Sequence, residues 1–118
     1  METRERLTVL VAEHDRWARS SIAALLIEAG IDVLEASNGV TALRVALADA
    51  PHVAVIGRDL PEIGAAELER GLRQDQRTRH IAIVGVSDLP PGPVELLGLL
   101  RRRCSRGVRR SPLRRSDP

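Results

Sequence analysis

The sequence predicts a doubly wound α/β fold, a mostly parallel sheet with helices on both faces, and three observations carry that prediction. Short apolar runs rich in β-branched residues recur at 7–13, 31–36, 52–57 and 81–87 and read as buried strands. Segments with helical apolar spacing lie between them, joined by short polar turns, so that parallel strands with right-handed crossovers are the economical arrangement. Phe and Tyr are absent and Trp17 is the single aromatic residue. Ala, Val, Leu and Ile must therefore fill the core, which suits a closely packed parallel sheet. A chain of 118 residues has room for one such domain.

The elements follow in order. LTVLVAE (7–13) is the first strand. Asp15 stands at a good N-cap position, Ala18, Ile22, Leu25, Leu26 and Ala29 repeat at helical spacing, and Gly30 suits the residue after a helix. IDVLEA (31–36) reads as a strand with one face wetter than the other, which places it near a sheet edge. The turn signal Ser37-Asn38-Gly39 precedes a second helix carried by Val40, Leu43, Ala46 and Leu47 and ended before Pro51. HVAVIG (52–57) is the third strand, RDLPEIG (58–64) a loop, and AAELERGLRQ (65–74) a third helix with Leu68 and Leu72 facing inward. DQRTR (75–79) is a polar connection before the fourth strand, IAIVGVS (81–87).

After Ser87 the pattern changes. DLPPGP (88–93) interrupts regular structure, and residues 94–103 can form a short helix with Leu96, Leu97, Leu99 and Leu100 on its apolar side. Residues 104–118 are rich in Arg, Ser, Pro and Gly and read as disordered. The expected organisation is a domain over 1–88 and a Pro/Arg-rich tail over 89–118.

Charge follows the same division. Residues 1–88 hold 10 Arg against 14 acidic residues, whereas residues 89–118 hold 8 Arg against 2. The chain is an acidic body with a basic tail. Every basic residue is Arg and none is Lys, as GC-rich coding sequence yields. The lone Cys104 can form neither an intramolecular disulfide nor a metal site by itself. Residues 1–6 are charged, and no run approaches the ~18 apolar residues of a membrane span. A cytoplasmic location and no membrane partner are expected.

The body resembles the receiver domain of bacterial response regulators in two-component signalling, from about Leu7 to Ser87. Glu13 and His14 match the acidic pair at the end of that family's first strand, Asn38-Gly39 its turn after the second, Pro61 the proline of its third loop, and Ser87 the hydroxyl ending its fourth strand. The resemblance implies a flavodoxin-like (CheY-like) three-layer sandwich with strand order 2-1-3-4 and a site at the carboxyl ends of the first and third strands, where open α/β sheets bind their ligands. It also implies work in a phosphorelay with a histidine kinase or another signalling protein.

The chain departs from the family where the chemistry sits. In VAVIGRDLP (53–61) the phosphate-accepting aspartate is replaced by Gly57, and a hydrogen atom accepts no phosphoryl group. His14 replaces one acidic residue and is a poor ligand for a hard cation. The family's lysine has no counterpart, and neither do its fifth strand and fifth helix. Phosphoryl transfer to a carboxylate needs a nucleophile, a divalent ion and a cation on the phosphate. The site remnant is Glu13, His14, Gly57, Asp59 and Ser87. Glu13, with Asp59 offering a backbone carbonyl, could hold Mg²⁺ only weakly, so no cofactor and no enzymatic activity are expected.

The sequence therefore predicts a phosphorylation-deficient pseudo-receiver acting by protein–protein contact. Two other readings stand beside it. Nucleic acid could bind the tail through Arg101, Arg102, Arg103, Arg106, Arg109, Arg110, Arg114 and Arg115, by phosphate contacts alone. Alternatively, the chain is a truncated or frame-shifted relic. Asp59 as a substitute acceptor is disfavoured, because two residues along a loop displace a carboxylate by several ångströms, at ~3.3 Å per residue. His52 and His80 read as loop histidines, and Trp17 as a surface-packing residue. A sheet lacking its fifth strand would leave the fourth as an open edge and part of the first helix uncovered, which favours association into dimers.

Overall fold

The computed structural model describes residues 6–108, of which 105–108 are described as helical backbone only. Four strands, β1 (Thr8–Ala12), β2 (Asp32–Ala36), β3 (Val53–Ile56) and β4 (Ala82–Gly85), form one parallel sheet in the order β2-β1-β3-β4. They alternate with α1 (Arg16–Glu28), α2 (Gly39–Asp49) and α3 (Ala65–Gln74), and α4 (Pro93–Val108) closes the described chain. This is the strand order that the resemblance implies, with the half-wet β2 at one edge.

Local chemistry sets the helix ends. The Asp15 carboxylate accepts the Ala18 N–H at 3.0 Å, and the Asn38 side-chain oxygen accepts the Thr41 N–H at 2.8 Å; each satisfies a donor that the first helical turn leaves orphaned. Gly30 follows α1 with φ of 83°, a left-handed conformation that costs glycine nothing. The same conformation falls on Ala50, the C-cap of α2, with φ of 44°, where its N–H still donates to the Ala46 carbonyl at 2.8 Å.

Side chains alternate across each strand, so the sheet carries two cores. Leu10, Ala12, Ala54 and Ile56 face α2 and α3, whose Ala42, Ala46, Leu68 and Leu72 are buried against them. Val9, Val11, Val53, Val55 and Val84 face the opposite way, onto Leu26 of α1 and Leu96, Leu100 and Cys104 of α4. No aromatic ring contributes to either core, as the composition requires.

Several expectations need correction. The last strand is shorter than 81–87: β4 ends at Gly85 and Val86–Asp88 form a single 3-10 turn. The last helix is longer than 94–103, and it is no isolated piece of tail. It starts at Pro93, whose fixed φ suits a first helical position, and buries Leu96, Leu100 and Cys104 on the sheet beside α1. The face of α1 expected to lie uncovered is thus covered by α4. Cys104 extends the Leu96–Leu100 stripe by one more turn, and that signal is hidden in the sequence by the surrounding arginines. The polar connection 75–79 also holds a buried residue, Thr78, whose hydroxyl donates to the Leu72 carbonyl at 2.7 Å. The disorder expected for 104–118 falls on α4 as far as Val108; residues 109–118 lie outside the described residues. Among the described residues, no helix is long and apolar enough to cross a membrane.

Candidate functional site

The carboxyl ends of β1, β3 and β4 open into a cleft of about 600 Å³. All five remnant residues, Glu13, His14, Gly57, Asp59 and Ser87, line it, together with Asp15, Arg58 and Glu69. Parallel pairing explains the convergence. Ala12, Ile56 and Gly85 stand in register as partners across β1, β3 and β4, so the residues just beyond them emerge at one end of the sheet.

Glu13 and Gly57 decide what this cleft can do. Gly57 is buried, and its N–H donates to the Ala12 carbonyl at 2.8 Å, continuing the ladder one residue past β3. Its φ lies outside the left-handed region, so the backbone there does not demand glycine. The space a Cβ would fill is taken by the Glu13 carboxylate, with Oε1 the nearest atom. The other carboxylate oxygen, Oε2, accepts the Asp15 N–H at 2.8 Å. A neighbouring carboxylate thus lies folded into the position from which a side chain on residue 57 would project.

The loop carrying Glu13 is held from behind. Arg19, on the first turns of α1, donates through Nη1 to the Glu13 carbonyl at 3.0 Å, and its Nε reaches Glu35 of β2 at 3.3 Å. Sequence reasoning passed over Arg19, Arg58 and Glu69. Nothing in their spacing marks them, because their relation to the cleft exists only once β1, β2, β3 and α3 have come together. His14, Asp59 and Ser87 are exposed at the rim.

No family model matches the chain. Over 81 residues it is 32% identical to a histidine kinase of Formosa agariphila, covering 69% of this chain and 6% of that protein. Over 80 residues it is 25% identical to the polar-differentiation response regulator DivK of Brucella anthropi, covering 68% of this chain and 65% of DivK. The chain therefore spans less than two thirds of either curated relative. Among solved structures, a response regulator from Chloroflexus aurantiacus superposes with a TM-score of 0.75 at 21% identity, over 86% of this chain and 99% of that one. The fold is that of a response-regulator receiver domain.

The receiver fold raises the question of a divalent cation at this cleft. The donor set does not fit one. A hard cation takes six or more oxygens, yet one Glu13 oxygen is engaged by the Asp15 N–H and the other is turned over Gly57. His14 offers nitrogen rather than oxygen. Among the described residues, no group of three or more His, Cys, Asp or Glu side chains could hold a metal ion. The basic residues assigned to nucleic acid divide at the end of the described side chains. Arg101, Arg102 and Arg103 are exposed on α4, and Arg103 donates to the Ile83 carbonyl at 3.3 Å. The Arg106 side chain and all of Arg109, Arg110, Arg114 and Arg115 lie outside the described residues.

Proposed function

We propose that this chain is a phosphorylation-deficient pseudo-receiver that works in two-component signalling by contact with another protein. One observation carries the proposal: position 57 has no side chain, and the Glu13 carboxylate fills the space an acceptor would occupy. A phosphoryl group arriving there would meet a fixed negative charge, no nucleophile on Gly57 and no lysine anywhere in the chain. The module extends through α4, which completes its second helical layer, and works in the cytoplasm. Its partner is a histidine kinase or another protein of the same relay. The likeness to a histidine kinase and to a response regulator supports that assignment. The remnant cleft serves as a fixed surface in this role and holds no cofactor.

The test is incubation with acetyl phosphate and Mg²⁺, read by intact mass and by trapping of acyl phosphates with borohydride. The expected result is an unmodified chain. A stoichiometric acyl phosphate mapped to Asp59 or Glu13 would overturn the proposal and make the cleft a working acceptor site.

A further inference from the structure

β4 ends the sheet with one side unpaired among the described residues. Its register shows which groups face outward. The Ala82 N–H donates to the His52 carbonyl on the β3 side at 3.1 Å. In a parallel ladder the groups of Ala82 and Val84 then face β3, and those of Ile83 and Gly85 face away. Such an edge is a template for another strand unless charge or a covering element blocks it.

Here arginines cap the outward carbonyls of the edge, leave its outward N–H groups open at Ile83 and Gly85, and give it a sign. A cleft of about 480 Å³ runs beside residues 81–83, with Arg73, Arg79, His80 and Arg103 around it and no acidic side chain in its lining. The arginines come from both helical layers. Arg73 of α3 donates to the Ile81 carbonyl at 2.8 Å, and Arg103 of α4 donates to the Ile83 carbonyl at 3.3 Å. They straddle the edge and satisfy two of its outward acceptors. Arg79 extends the positive field beside them, and it and Arg103 are exposed.

The sign selects the occupant. A second copy would bring the same arginines against themselves. The chain's own residues 109–118 carry four Arg and one acidic residue, so they are also repelled. Beside residues 81–83 an acidic segment meets opposite charge on both faces of the strand it would form, whereas its uncharged end lies at Gly85, next to Asp88; its backbone carbonyls meet the outward N–H groups of Ile83 and Gly85. We infer that the β4 edge takes up an extended, acidic segment of a partner protein as an added fifth strand. Main-chain hydrogen bonds would supply the affinity and the arginines the selectivity. Ile83 and Gly85 also border the cleft holding Gly57, but the inference rests on the strand edge and its arginines, so it stands or falls apart from the pseudo-receiver reading.

The probe is a seven-residue capped peptide with adjacent glutamate pairs among valine and threonine, so that carboxylates project from both faces of the strand. Its controls carry arginine at the glutamate positions, or proline at the centre. Binding is read by fluorescence anisotropy at low salt, and amide exchange by NMR on the full chain. Saturable binding of the acidic peptide alone is expected, with exchange slowed at Ile83 and Gly85 and unchanged at Ala82 and Val84. Arg79→Glu combined with Arg103→Glu, both at exposed positions, should weaken that binding by about tenfold or more and admit the basic peptide. Equal binding of the basic or proline peptide would overturn the inference, as would binding without protection at Ile83. Protection of Ile83 that grows with protein concentration in the absence of peptide would assign the edge to a second copy instead.

Discussion

Placing an aspartate at position 57 sets two carboxylates against each other. In Gly57→Asp the new Cβ enters the space held by the Glu13 carboxylate, so Glu13 must swing away and release the Asp15 N–H. The lost hydrogen bond costs about 0.5–1.5 kcal/mol. Two like charges about 4 Å apart repel by ~1 kcal/mol in water and ~4 kcal/mol at an effective dielectric constant near 20. Glu13 is half-buried at the mouth of an open cleft, so the repulsion belongs in the lower half of that range. The expected destabilisation is about 1.5–4 kcal/mol at neutral pH. Gly57→Ala displaces Glu13 without adding charge, and lower unfolded-state entropy returns about 0.4–1 kcal/mol, so it should fall within ~1 kcal/mol of the parent.

The pH dependence separates charge from sterics in this pair. Repulsion raises the folded-state pKa of the carboxylate pair above the unfolded value near 4. The penalty is therefore present where both groups are ionised and disappears as pH falls through the raised folded pKa. Urea unfolding of the parent, Gly57→Ala, Gly57→Asp and Gly57→Asp with Glu13→Gln, at neutral pH and near pH 4, measures each contribution. The aspartate variant should recover most of its deficit at the lower pH, and Glu13→Gln should recover it at neutral pH. A Gly57→Asp chain as stable as Gly57→Ala at neutral pH would refute the reasoning, as would a deficit indifferent to both pH and Glu13.

Two further outcomes are expected. Leu100→Ala removes a fully buried side chain of α4 from the core shared with α1 and should cost about 2–5 kcal/mol in a urea titration; a loss below ~1 kcal/mol would mean that α4 is not part of the cooperative unit. The Asp75 carboxyl is lowered to about 2, first by the side-chain hydrogen bond from Arg77 and then by the Arg77 backbone N–H. A depressed carboxyl contributes stability above its unfolded pKa and loses it as pH falls through the folded one. Acid titration from about pH 4 toward pH 2 should therefore shrink any stability difference between the parent and Asp75→Asn, while a difference that grows toward acid would contradict the assignment. The exposed Arg77–Asp75 pair makes the whole effect small.

The α/β class and the boundaries of the first three helices were legible in the sequence, because each depends on short-range pattern. Apolar runs bounded by turn residues mark parallel strands. Asp15 and Asn38 announce their helices by capping chemistry. Gly57 declares its lack of a nucleophile by identity alone, whatever the fold. Other features depend on which surfaces meet, and no local pattern encodes that. The stripe of Leu96, Leu100 and Cys104 has core meaning only because α4 lands beside α1 on the face carrying Val9, Val11 and Val53. Read along the chain, its last turns are dominated by arginines. The role of Glu13 is likewise tertiary: the sequence marks it as a possible cation ligand, while folding turns it over Gly57 and occupies it with the Asp15 N–H. Arg73 and Arg103, 30 positions apart in the sequence, come to flank one strand edge through the packing of α3 and α4 on opposite faces of the sheet. Periodicity reports what one segment prefers, whereas the charge of an edge and the filling of the space beside Gly57 are set by segments that folding alone makes neighbours.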